Sequence, residues 1–253
     1  MAVPPKKTHI HNVNPAVIKY LAVRTLGNFL ILFTIFGISA TFGPALFFES
    51  RYQLTQFFDI KYEVIKETPS SPSELTKILQ KGQKLKRQPN LFDEVLGGGQ
   101  QEILYPEDPS FTVMIPKIGA NERITPNVDP NNEKEYLEVL SRTIAHAKGT
   151  SFPGLNGTTY LFAHSTDNFW SVGRYNAVFY LLNKMEKGDE VVVFFNGKRF
   201  NYTVSETKIV EASDTHYIDS ATGQGERIIL QTCWPPGTAW KRLLVFATPK
   251  SVN

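Results

Sequence analysis

A second cysteine is missing. Cys233 is the one thiol among 253 residues, so no internal disulfide can form and a structural staple is excluded. Neither a partner cysteine nor a close histidine cluster stands near it, so the three or four ligands that zinc needs are lacking as well. Acidic residues are absent from positions 1–24, which carry Lys6, Lys7, Lys19 and Arg24. Charge of either sign is absent from Thr25 to Phe48, TLGNFLILFTIFGISATFGPALFF, until Glu49 and Arg51 end the run. No internal repeat occurs, which excludes a solenoid. All 24 acids follow the uncharged run, so the sequence pI of 8.8 reflects the basic N-terminus rather than a basic face. Nucleic-acid binding is therefore not expected.

The uncharged run is longer than the roughly 20 residues a helix needs to cross the hydrocarbon core of a bilayer. It is also longer than the about 7–15 apolar residues of a cleavable signal peptide, which favours an uncleaved anchor. Basic residues before the span and mixed charge after it put the N-terminus on the cytoplasmic side. The expected layout is a cytoplasmic tail over 1–24, a transmembrane anchor over 25–48, an extracellular stalk over 49–105 and a folded extracellular domain over 106–253.

Within the stalk, SSPSELTKILQKG opens with a helix-start pattern of Ser71, Pro72 and Glu74 and closes at Gly82. The glycines at 97–99 read as a flexible joint. From Pro106 onward the texture changes to short apolar runs between turn residues. Strands are expected over 111–119, 158–164, 189–210, 226–233 and 242–248, with Asn196-Gly197 as a hairpin turn inside the third. Helices are expected only at 131–142 and 177–188. Many strands and few helices predict a mainly β domain, and a closed barrel is favoured because it leaves no open edge.

The thiol then takes on significance. Outside the membrane a lone cysteine risks oxidation and crosslinking, so a use for it is more natural than an accident. A thiol nucleophile needs a proton carrier and a group that holds the developing oxyanion. His146, His164 and His216 are the histidines downstream of the span. His164 and Cys233 each follow an apolar strand-like run, where a rigid scaffold can present reactive groups. Arg242 opens the next strand and returns close to Cys233; its guanidinium suits a substrate carbonyl. Trp234 and Trp240 either line a substrate groove or pack within the loop, and His216 reads as a turn residue. Asp129, Glu133 and Glu135 lack the spacing of a calcium loop and read as a solvated acidic face.

The order of anchor, stalk and β domain, with LFAHS followed by LQTCWPPGTAWKRLLV, resembles the sortase family of membrane-anchored cysteine transpeptidases. Leu230, Thr232 and Cys233 match that family's Thr-Leu-x-Thr-Cys signature, with Ile229 in place of the first threonine and Ala163 where glycine usually precedes the histidine. The segment IAHAKGTSFPGLNGTTYLFAHS and the MEKGDEVVV turn are similar to the family's as well. The resemblance implies an eight-stranded β-barrel with short helices, preceded by one N-terminal transmembrane helix. It implies Cys233 as nucleophile, His164 as general acid and base, and Arg242 as substrate and oxyanion clamp; Thr232, Trp234 and Trp240 beside them are candidate substrate contacts. It makes His146 the earlier, non-catalytic histidine. No cofactor is implied. The implied partners are secreted proteins with a C-terminal Leu-Pro-x-Thr-Gly-like sorting motif and an amine acceptor, on a cell-wall precursor or a pilin lysine. A thiol peptidase that only hydrolyses, and a non-catalytic surface module of the same fold, are the alternatives.

Overall fold

Asn196 and Gly197 adopt φ of 49° and 74°, the left-handed pair that a two-residue hairpin turn requires. They join β7 (Glu190–Phe195) to β8 (Lys198–Glu211) within a computed structural model that describes residues 14–65, 101–165, 178–219 and 225–250. The remaining strands are β1 (Lys61–Val64), β2 (Gln101–Leu104), β3 (Phe111–Ile115), β4 (Ala120–Val128), β5 (Ile144–Ala147), β6 (Thr158–Phe162), β9 (Arg227–Trp234) and β10 (Lys241–Pro249). Strands β3 to β10 close into an eight-stranded barrel in the order β10-β8-β7-β3-β4-β5-β6-β9. Within the barrel the β4–β5 and β6–β9 pairs are parallel and the other ladders are antiparallel. The expected mainly β barrel with short helices is thus the observed fold.

Alternation along each strand sorts side chains into the barrel interior and its outer face. Val113, Ile115, Leu161, Val191, Val193, Leu230, Leu243 and Val245 fill the interior. The outer face is apolar in two places, and each is covered. Met114, Val192 and Phe194 lie under Val64 and Leu104 of the small parallel β1–β2 sheet. That cover explains why β7 reads as an unbroken apolar run, VVVFF, rather than an alternating one. Arg199 of β8 fixes the cover by donating from Nη1 to the carbonyls of Val64 and Ile65. The packed layer therefore reaches N-terminal to Pro106, into the segment expected to be stalk.

The second apolar patch comprises Tyr160, Phe162, Ile229, Leu244 and Phe246, against which Tyr136, Val139, Tyr217 and Ile218 pack. Those four come from α2 (Glu133–Leu140) and the single-turn α3 (His216–Asp219). Asn132 caps α2 by accepting from the Glu135 N–H, while Glu135 accepts from the Asn132 side chain and the Asp129 N–H. The acidic group at Asp129 and Glu135 is thus occupied in shaping the helix start.

One expected element differs: the described part of 177–188 yields a 3-10 turn at Tyr180–Lys184. Strands β1, β2, β4 and β5 were not foreseen. In β4 the buried residues Ala120, Ile124 and Val128 recur every fourth position, and a bulge at Asn127 (φ 58°) breaks the ladder. The Ser71 helix and the glycine joint lie outside the described residues.

The chain divides into two units, Met1–Pro44 and Ala45–Asn253. Helix α1 is continuous from Pro15 to Phe57, and within it Pro15–Ser39 is long and apolar enough to span a membrane, with none of it buried. This stretch starts ahead of the expected Thr25, at the beginning of the helix, and includes Lys19 and Arg24. Within the second unit, Glu49 accepts from Lys184 at 2.9 Å and the Phe48 ring lies tilted against Tyr180, with centroids 5.9 Å apart.

Candidate active site

Two strand pairings assemble the candidate groups. Across the antiparallel β9–β10 ladder, Cys233 is paired with Arg242. Across the parallel β6–β9 ladder, Phe162 is paired with Gln231, so two further steps along each chain reach His164 and Cys233. The connection persists past the end of β6: Ala163 N–H donates to the Gln231 carbonyl at 3.1 Å, and Thr232 Oγ1 donates to the Ala163 carbonyl at 3.2 Å.

Parity decides the face. Ile229 and Gln231 of β9 share the outward face with Cys233, as Leu244 and Phe246 of β10 do with Arg242. Tyr160 and Phe162 of β6 have the same parity as His164. By this parity the three candidates fall on the outer side of their strands, at the barrel end beside α2 and α3. All three are half-buried. The Arg242 guanidinium is steadied from its own loop: Nη1 donates to the carbonyls of Ala239 and Lys241, both at 3.1 Å. One nitrogen is thereby held while the rest of the planar fork stays available.

The other histidines are placed elsewhere. His146 has interior parity on β5 and is fully buried, stacked on Phe152 with centroids 4.5 Å apart. Its Nδ1 accepts from the Asn127 N–H at 3.3 Å, which leaves Nε2 as the protonated nitrogen, donating to the Ser151 carbonyl at 3.1 Å. Burial pushes its pKa down, although the Ser151 carbonyl opposes this. A neutral, enclosed imidazole cannot exchange protons with a substrate on the outer face. His216 begins α3, exposed, with its ring edge-on to Tyr217.

The substrate-side expectations separate. Thr232 is 2% exposed with its hydroxyl given to Ala163, so it faces inward and supports the residue before His164 rather than a surface groove. Trp234 has the same inward parity and packs against the interior core, while Trp240 stands 73% exposed on the loop between Cys233 and Arg242. Among the described residues no group of three or more histidine, cysteine or carboxylate side chains could hold a metal ion.

A Sortase domain family model matches residues 113–250, more than half of the chain. The chain belongs to the sortase family. It is 30% identical over 135 residues to Sortase D of Bacillus subtilis (strain 168), a match that covers 52% of this chain and 59% of that relative's length. Among solved structures it is similar to a Clostridium perfringens Sortase D5 transpeptidase, at 21% identity and a TM-score of 0.47 over 71% of this chain and 92% of that one. It is similar also to the Group B Streptococcus Pilus Island 1 Sortase C2, at 27% identity and a TM-score of 0.47 over 56% and 73%.

Sequence reading missed the contributions of the outer layer to this candidate site. Tyr160 is buried behind it and donates to Gln231 Oε1 at 2.5 Å; burial pushes its phenol up, with Arg242 opposing. Tyr136 of α2 lies within electrostatic range of Arg242 and Cys233. Its phenol is pushed up, first by burial and then by Glu133, so it remains a protonated donor. Neither tyrosine carries a local sequence signal, because what selects them is helix-on-barrel packing.

Proposed function

We propose that this sortase is a membrane-anchored cysteine transpeptidase, with Cys233 as nucleophile, His164 as general acid and base, and Arg242 as the clamp on the substrate carbonyl. The carrying observation is the pairing of Cys233 with Arg242 across β9–β10, with His164 two residues beyond the β6 position that pairs with Gln231. The Cys233 sulfur attacks the carbonyl carbon of the scissile bond in a C-terminal sorting motif of a secreted protein. The carbonyl oxygen gains the displaced electron pair and is met by Arg242. Collapse of that intermediate expels the amine, which leaves with the one proton of the Cys-His pair. An incoming amine, from a cell-wall precursor or a pilin lysine, then takes the acyl group from the thioester. Thr232 supports His164 through the Ala163 carbonyl. Trp240, exposed on the adjoining loop, is suited to contact either substrate.

The apolar part of α1 anchors the chain, and the basic residues before it favour a cytoplasmic N-terminus with the barrel outside. The test is mass spectrometry of the chain incubated with sorting-motif peptides, with and without an amine. A peptide adduct on Cys233, absent from Cys233→Ala and resolved by added amine, is the expected result. His164→Ala should slow adduct formation by about 10²–10⁴. An adduct released equally fast by water alone would make the chain a hydrolase, and turnover by Cys233→Ala would remove the assignment.

A further inference from the structure

Helix α2 brings to the candidate site a side chain for which the three chemical groups do not account. The Tyr136 ring meets Phe162 edge to face, with centroids 6.4 Å apart and planes at 76°. Phe162 ends β6, and its paired residue Gln231 lies two positions before Cys233. The ring thus stands over the strand ends that carry His164 and Cys233, and it is seated in the outer-face cluster beside Val139. Its phenol is in the electrostatic range of both the Cys233 sulfur and the Arg242 guanidinium.

The hydroxyl is also uncommitted. Tyr160 donates to Gln231 and Tyr202 donates to Glu226, so the two deeply buried phenols of the barrel are engaged. Among the described residues, the Tyr136 hydroxyl makes no hydrogen bond with the protein. A half-buried donor held by its ring, and within electrostatic range of both a nucleophile and a cation, is placed for the oxygen that gains charge between them. When sulfur bonds to the carbonyl carbon, the carbonyl oxygen is the atom that faces the guanidinium while remaining one bond from the attacked centre.

We infer that Tyr136 is a catalytic residue of this site, donating its phenolic O–H to the oxygen of the tetrahedral intermediate alongside Arg242. The inference rests on the proposed transpeptidase reading. In the step concerned, the sulfur–carbon bond forms and the carbonyl π pair moves onto oxygen. That oxyanion accepts hydrogen bonds from the guanidinium and the phenol. Collapse re-forms the carbonyl and releases the amine with the Cys-His proton, and the phenol keeps its own proton throughout.

Tyr136→Phe removes the donor and leaves the ring against Phe162. The test uses the full chain in detergent micelles and a sorting-motif peptide. It measures the single-turnover rate of Cys233 acylation, the KM for peptide, the rate of Cys233 alkylation by iodoacetamide and the melting temperature. Loss of an oxyanion donor costs about 10²–10³ in rate, so acylation should fall by about tenfold or more. KM, alkylation and melting should each stay within about twofold or a few degrees of the parent, because none of them involves the oxyanion. Unchanged acylation overturns the inference and leaves the transpeptidase reading intact. A raised KM at constant acylation rate overturns it too, assigning the phenol to ground-state peptide binding. Alkylation that falls in parallel with acylation, or a collapsed melting temperature, overturns it in favour of a structural role. Failure of the parent chain itself to acquire an adduct removes the transpeptidase reading and this inference together.

Discussion

Replacing Arg242 with lysine keeps the charge and removes the fork, and the structure sets the size of the effect. Arginine offers five N–H donors. The two on Nη1 are directed at the carbonyls of Ala239 and Lys241, which leaves Nε and Nη2 to meet a substrate oxygen. An ammonium has three donors on one point. If it satisfies the same two carbonyls, one donor remains, and it is no longer held in the plane of a fork. Arg242→Lys should therefore lose at least one oxyanion hydrogen bond, which costs about 10²–10³ in kcat, or about 2.7–4 kcal/mol. Folding should be almost untouched, because the backbone pairs with Cys233 and Val210 do not depend on the side chain. The assay is turnover of sorting-motif peptides with an amine acceptor, alongside the iodoacetamide rate at Cys233 and thermal melting. If Arg242→Lys retains turnover within about threefold while melting like the parent, Arg242 does not clamp the oxyanion, and its pairing with Cys233 has another purpose.

Three further outcomes concern the scaffold. A fragment beginning at Pro106 loses the cover formed by Val64 and Leu104, and burying an aliphatic side chain is worth about 1.5–3 kcal/mol, so it should be about 3–6 kcal/mol less stable in urea than one beginning at Lys61; matching midpoints would show that the β1–β2 sheet contributes nothing. At Gly154 (φ 81°) an added Cβ falls 2.4 Å from Phe200 Cε1, so Gly154→Ala should cost roughly 2–4 kcal/mol from left-handed strain and overpacking, read as a lowered denaturant midpoint. His146 is held neutral with a pKa below its unfolded value, so the unfolded chain binds the extra proton; stability should fall as pH drops below about 6.5, by at most about 1.4 kcal/mol per unit from this group. That slope should shrink in His146→Gln, measured by urea unfolding at pH 7.5 and 5.5, and an unaltered slope assigns the dependence to other groups.

What could be read along the chain and what could not divide by the range of the interactions. The Asn196-Gly197 hairpin, the apolar runs of β3, β6, β7, β9 and β10, and the uncharged segment before Glu49 are local patterns, legible because alternation, turn chemistry and span length act over a few residues. The Cys233–Arg242 relation was legible for the same reason: one short loop separates two strands, and antiparallel pairing brings their facing ends together. The family likeness rested on those same residues. His164 was another matter. Its strand is brought beside that of Cys233 by the parallel β6–β9 ladder, a pairing across more than sixty residues that no local pattern announces. Parity within the closed barrel turns His146 inward into a hydrogen-bonded cage, and it puts Thr232 and Trp234 inside while Cys233 looks out. A one-residue step in a strand exchanges faces, so such assignments depend on registers that only the assembled barrel settles. The β1–β2 cover and Tyr136 on α2 depend on the tertiary structure still more fully. Met114, Val192, Phe194 and Phe162 present apolar outer surface, and which distant segment shields each of them is decided by packing rather than by any feature of that segment's own residues.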